Sequence, residues 1–221
     1  MNTVGLAINS HNPDAFYLRD CLMTGSAFDQ IYLYVQSYSP EADDIIEDIK
    51  DLSNNLTVER GEVNVDVVTG FNKAAGSLHN DWICPFCDDD FFLTPHLRTI
   101  LGMLRHGVFD SYDVVHYQVQ TDAMTNWGSA MDFERLKREN HLPHGSMIKA
   151  DAFHAIGGYR SLISSDWELW LRMAQAGYNF HFIDLPVYHF RSNLSGQMSK
   201  EAKLGFPAIR AAVLKSAGIK L

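Results

Sequence analysis

Short apolar runs alternate with segments of helical spacing through the first half of the chain, and this order admits few folds. Thr3 to Asn9 is a compact apolar run that reads as a buried strand. Asn12-Pro13-Asp14 is turn chemistry, and Ala15 to Thr24 then carries Phe16, Leu18, Leu22 and Met23 at helical spacing. Ile31 to Val35 is a second strand. Ser39-Pro40-Glu41 opens a helix with an apolar stripe of Ile45, Ile46, Ile49 and Leu52. Leu56 to Glu59 and Val63 to Val68 read as extended, Asn72 to His79 as helical, and Trp82 to Phe86 as a further strand. Such alternation implies an α/β fold: a Rossmann-like arrangement with a mainly parallel central sheet flanked by helices.

The second half is less regular. Leu97 to Arg105 reads as a helix and Val114 to Val119 as a strand, while Thr121 to Asn140 is polar and irregular before turning helical. Ser164 to Ala176 is a strongly amphipathic helix closed by Gly177. Phe180 to Ile183 and Val187 to Phe190 read as short strands around Pro186, and Ala208 to Ala217 as a short final helix with Arg210 and Lys215. No linker or repeat divides the chain. Residues 1–221 therefore read as one domain of two halves, 1–95 and 96–221.

Composition narrows the function classes. At 221 residues the chain can bury a real core. Lys plus Arg is 18 and Asp plus Glu is 27, for a net charge of −9, so the basic surplus of a nucleic-acid binder is missing. An apolar share of 46% excludes disorder. No apolar run approaches the ~20 residues of a membrane span. Met1 to Ser10 lacks a cationic start and reads as a strand, not a signal peptide. The odd set Cys21, Cys84 and Cys87 fits free thiols in a reducing, cytoplasmic compartment. Cys84-Pro85-Phe86-Cys87 has C-x-x-C spacing, but the three aspartates that follow would raise a thiol pKa. Zinc would need more ligands, and there is no second C-x-x-C. Both cysteines read as small buried residues at the end of a strand.

Asp88-Asp89-Asp90 is the strongest chemical signal. It stands between Trp82 to Phe86 and Phe91-Phe92-Leu93, where three carboxylates repel one another and resist desolvation. A divalent cation relieves both costs, and carboxylate oxygens suit Mg²⁺ or Mn²⁺. The plainer reading is a solvated turn. The cluster follows a strand, and open α/β sheets bind ligands beyond the carboxyl ends of their strands. In extended backbone residues i and i+2 face the same way, so Asp88 and Asp90 would share a side and Asp89 would point away. A D-x-D pair in this setting points to a metal–diphosphate site.

Five segments then carry a resemblance: Thr3 to Leu22, Asn72 to Asp90, Gly145 to Arg160, Ser165 to Arg172 and Ala176 to Arg191. In that order they resemble the motifs of the family-2 nucleotide-sugar glycosyltransferases, which have the GT-A fold, and the likeness covers nearly the whole chain. It implies a metal-dependent inverting transferase that moves a sugar from a nucleotide-diphosphate sugar to a hydroxyl of a glycan or other acceptor. By resemblance, Asp88 and Asp90 hold Mn²⁺ or Mg²⁺, with His189 as a further ligand, and Asp166 is the catalytic base. Asn9, Gln36, Tyr38, Asn72, Asp89, Lys149 and Arg191 fall on the donor side, and Gly145, Trp167 and Glu168 on the acceptor side. Plainer readings stand beside these. His189 can be a packed histidine, Arg191 a surface charge and Lys149 a solvated lysine. Asp166 can be a helix cap in competition with Ser164 and Ser165. Trp167 and Trp170 can be core, and Glu168 structural.

The chain departs from the family at three places. Ser165 stands where a Glu usually precedes the base, and Phe71 where Arg is common. No acid closes the second strand, where Tyr34 to Tyr38 run instead. A UDP-sugar is the default donor, with GDP- or dTDP-sugars open. Thr121 to Pro143 reads as the acceptor side. Two other classes compete. A sugar-phosphate nucleotidyltransferase needs a Gly-rich loop near its start, where Val4 to Asn12 has only Gly5. A non-catalytic nucleotide-sugar or glycan binding module would keep the fold and lose the chemistry.

Overall fold

The first three helices begin where their capping residues dictate. The Asp14 carboxylate accepts from the Phe16 and Tyr17 N–H groups and opens α1 (Ala15–Gly25). Ser39 caps α2 (Pro40–Leu52), with Pro40 in its first turn. Asp66 caps α3 (Val67–Gly76) by accepting from the Thr69 N–H. This cap corrects the expectation of an extended Val63 to Val68: Val67 and Val68 are helical, and residues 63 and 64 lie outside the described residues. The computed structural model describes residues 1–37, 39–61, 65–192 and 204–220.

The parallel half of the sheet is built from β1 (Val4–His11), β2 (Gln30–Gln36), β3 (Leu56–Arg60) and β4 (Trp82–Cys87), in the order β3-β2-β1-β4. β8 (Met147–Lys149) continues it antiparallel to β4, followed by β6 (Val114–Thr121), β9 (Phe180–Phe190) and β5 (Phe91–Phe92). β6 and β9 are again parallel, β5 runs antiparallel to β9, and β7 (Asn126–Trp127) pairs with β6. The expected two short strands around Pro186 are one strand. A register shift absorbs the proline, which lies opposite Gln118.

Each face of this sheet carries its own core, because successive strand residues point to opposite sides. Val4, Leu6 and Ile8 of β1 pack with α1, α2 and α4 (Thr94–Arg105). Ala7 faces the other core, with α3, α6 (Ala150–Ala155), α7 (Ser165–Gln175) and α8 (Phe206–Ser216). The stripes read from sequence are partly rotated. Phe16, Met23 and Leu52 are exposed, while Cys21 and Ala42 point inward.

Trp167 and Glu168, expected on the acceptor side, are instead interior. Trp167 is 2% exposed, its Nε1 donates to the Leu136 carbonyl at 2.6 Å, and its ring stacks on Phe206. Trp170 is core as well. Glu168 is fully buried and takes both its oxygens to Arg172, at 2.8 and 2.9 Å. Arg172 also donates to the Ile156 and Gly158 carbonyls, and Ser216 of α8 donates to Glu168 at 3.3 Å. One buried ion pair thus ties α7 to the turn after α6 and to α8. Removing one partner strands the other charge. Glu168→Ala is expected to cost about 3–5 kcal/mol in denaturant unfolding.

Candidate functional site

Three parallel strands end together. Asn9 of β1 stands opposite Cys87 of β4, and His11 opposite Gln36 of β2. β4 then breaks into a turn at Asp88 and Asp89 before β5 resumes at Phe91. This turn removes the alternation expected for a D-x-D pair, since i and i+2 share a side only in extended backbone. Asp88 goes to β1, where it accepts from the fully buried Ser10 hydroxyl at 2.5 Å. Among the described residues, the one group of potential ligand atoms close enough to share an ion is Cys87, Asp89 and Asp90, within 4.8 Å of one another. Asp89 therefore stands with Asp90, and Asp88 beside them.

The electrostatics of this turn are unbalanced. Burial pushes the Asp88 carboxyl up to about 7, against the opposing hydrogen bond from Ser10. Asp90 is 4% exposed, and burial first, then the charge of Asp89, holds its pKa well above the ordinary range. The Cys87 thiol is raised by burial and then by the three aspartates, so it stays protonated and is a poor ligand. The carboxylate oxygens of Asp89 and Asp90 fit a hard divalent cation, which would offset the charge they crowd together.

Arg191 closes the turn from β9. Its backbone N–H donates to Asp90 at 2.9 Å and its guanidinium to the Asp89 carbonyl at 3.0 Å. The same guanidinium pairs with Asp20 of α1 and lies 4.6 Å from the Tyr17 ring and 4.5 Å from the Phe91 ring. His189 stacks on Phe91 and sets its Nε2 2.9 Å from Asp122 and its Nδ1 3.5 Å from Gln120. Its polar atoms face the tip of β6 and not the aspartate turn, so it does not join the close group.

Asp166 lies in the first turn of α7. Its charge adds to burial in raising the pKa values of Cys87, Tyr159 and Tyr188, and that of Tyr188 is raised by Asp90 too. The preceding Ser164 is left-handed, at φ 43° and ψ 59°, an uncommon conformation for a residue other than glycine. Its side chain makes no cap, contrary to the capping expectation.

Other expected contacts have moved. Lys149 pairs with Trp82 at the start of β4, roughly 17 Å along the strand from Cys87. It donates to the Asp110 carbonyl at 2.5 Å and is too far for a diphosphate at the aspartate turn. Gln36 is 1% exposed, and its amide bridges Asn9 and the Val65 N–H, which closes it to a nucleotide base. Tyr38 lies outside the described residues. Asn72 exchanges two hydrogen bonds with the Tyr159 backbone, at 2.8 and 2.9 Å, and pins the Gly157-Gly158-Tyr159 turn. Gly145 is buried, and an added Cβ would stand 2.8 Å from Phe86 and 3.2 Å from Tyr188. Its carbonyl accepts from Tyr117 and Cys84. Sequence reasoning missed Ser10, Asp20 and Asn140. The position of Ser10 at the end of the first strand was the only available signal, since Asp20 and Asn140 meet the site through tertiary contacts.

No family model matches the sequence, and no curated protein does. Solved structures match in fold. S. aureus TarS in complex with UDP-GlcNAc superposes with a TM-score of 0.69 at 12% identity, over 89% of this chain and 60% of that one. TarS in complex with UDP gives 0.69 at 11% identity, over 99% and 67%. A mannosyltransferase from Pyrobaculum calidifontis in complex with GDP-Man and Mn²⁺ gives 0.64 at 12% identity, over 98% and 73%. The chain thus spans about 60% of the length of the first of these. It has the GT-A-like fold that these glycosyltransferases share.

The turn has a measurable consequence. An aspartate that titrates near 7 when folded, against 3.8 ordinarily, holds its proton more tightly in the folded state. Its stabilisation is complete below pH 3.8 and is lost as pH rises through about 7. Without divalent cation, Tm is expected to fall by roughly 10 °C over that interval. Saturating Mn²⁺ should recover the loss at pH 8 and do little at pH 5.

Proposed function

We propose that this chain is a metal-dependent inverting glycosyltransferase, moving a sugar from a nucleotide-diphosphate sugar to a hydroxyl of a glycan or other acceptor. The observation that carries this reading is an acidic turn, with Cys87, Asp89 and Asp90 within 4.8 Å of one another, at the end of β4 in a GT-A-like sheet, with Asp166 near enough for its charge to act on Cys87. Asp90 and Asp89 would hold Mn²⁺ or Mg²⁺, and Asp88 is kept alongside them by Ser10. When bound, the cation offsets the charge of the donor diphosphate and of the leaving nucleotide. Such a cation lets a chain of net charge −9 accept an anionic donor.

The chemistry of the chain's own residues is proton transfer and positioning. Asp166 takes the proton from the acceptor hydroxyl as that oxygen attacks the anomeric carbon, on the face opposite the departing diphosphate. Inversion follows from that single in-line displacement. Arg191 holds the Asp89 carbonyl and the Asp90 carboxylate in place. The nucleotide sugars in the matched structures, UDP-GlcNAc and GDP-Man, make UDP- and GDP-sugars the donors to try first. Three free thiols are consistent with a reducing, cytoplasmic setting. None of the helices is long and apolar enough to cross a membrane, among the described residues.

Release of UDP or GDP from a panel of nucleotide sugars, with and without Mn²⁺, tests the reading. Asp166→Asn is expected to lower turnover by about 10²–10⁴-fold while donor affinity stays within a few-fold. Asp90→Asn should abolish Mn²⁺-dependent donor binding in calorimetry. Donor binding that ignores both Mn²⁺ and the Asp90 substitution would rule the mechanism out, and unchanged turnover in Asp166→Asn would leave a binding module.

A further inference from the structure

The family pattern places a Glu before the catalytic Asp, and Ser165 leaves that place unfilled here. A side chain from a different segment meets Asp166 instead. The Asn140 amide donates from Nδ2 to Asp166 Oδ2 at 2.9 Å. Its own Oδ1 accepts from the Leu142 N–H at 3.3 Å, which sets the amide so that its donor end faces the carboxylate.

The loop that carries Asn140 is anchored on both sides. Before it, Trp167 of α7 holds the Leu136 carbonyl, and directly after it the buried His141 ring accepts from the Asp132 N–H at 3.3 Å. After it, His144 stacks on Tyr159 and meets the tilted Phe71 ring, with ring centroids 5.8 and 4.7 Å away. The Gly145 carbonyl is then bound by Tyr117 and Cys84. A donor held this firmly restricts where a carboxylate can point, at little cost in mobility when the acceptor arrives.

We propose that Asn140 is a positioning residue for Asp166: it fixes the carboxylate in the orientation that receives the acceptor proton. The inference rests on the reading of Asp166 as the base. It assigns the orienting role to a side chain 26 residues earlier in sequence.

Asn140→Asp separates this role from packing. The substituted side chain has the same shape and still accepts from Leu142, but as a carboxylate it offers no N–H to Asp166 and repels it, so Asn140→Ala, which adds no charge, is read beside it. Nucleotide release from UDP-GlcNAc and GDP-Man with Mn²⁺ is compared for the wild type, Asn140→Asp, Asn140→Ala, Asp166→Asn and the Asn140→Asp/Asp166→Asn pair. The expected result is a kcat about 10- to 100-fold lower in both Asn140 variants. Donor Kd should stay within twofold and Tm be nearly unchanged in Asn140→Asp, and the pair should be no slower than Asp166→Asn alone. A collapse in Asp166→Asn with full turnover in Asn140→Asp overturns the positioning role alone. A loss in Asn140→Asp that tracks donor Kd or Tm overturns it as well, since the residue would then be structural. Full turnover in Asp166→Asn, or none of either donor by the wild type, overturns the reading of Asp166 and this inference with it.

Discussion

Three consecutive carboxylates at the end of a buried strand are the costly element of this molecule, and much of the surrounding structure serves to hold them. Charge in a desolvated place must be paired, hydrogen-bonded or neutralised by protonation. Two of these answers are visible. Ser10 takes one oxygen of Asp88, the Arg191 N–H takes one of Asp90, and the Asp88 carboxyl is pushed up to about 7. The Arg191 guanidinium is itself secured by Asp20, Tyr17 and Phe91. A divalent cation would offset the same charge, which connects the proposed chemistry to the stability of the fold.

The turn is also where the two halves of the sheet meet. β4 enters it from the parallel half, and β5 leaves it to pair with β9. Between them, β8 and β6 fill the interval and bring in the loop at Gly145. The site is therefore assembled by strand order rather than by sequence proximity. Asp90 and Arg191 are 101 residues apart and share a hydrogen bond. Asp166 arrives on α7, whose place is fixed by a buried Glu168–Arg172 pair and by two tryptophans in the core.

Local signals explain which parts were legible. Turn and cap chemistry at Asp14 and Ser39 located the first two helices, because a side-chain oxygen on orphan N–H groups acts within one turn. Apolar runs located the strands of the parallel half. Where an element depends on more distant partners, the reading slipped. Val67 and Val68 favour strands by side-chain shape, yet the Asp66 cap makes them helical. Pro186 reads as a strand break, yet β9 passes it by shifting register against β6. The D-x-D alternation assumed a straight strand, and the turn at Asp88 and Asp89 brought Asp89 to Asp90 instead.

The amino-acid sequence alone determined the alternation of strands and helices, the placement of an acidic cluster after a buried strand, and the shortage of basic charge. These follow from periodicity and composition, which are properties of short stretches. Which groups meet was decided only by tertiary structure. Lys149 was carried to the far end of β4, His189 was turned onto Asp122, and Asn140 was set against Asp166. The physical reason is that a hydrogen bond or ion pair needs atoms within about 3 Å. Contacts at that scale depend on strand order, register shifts and the path of loops, none of which a local pattern encodes.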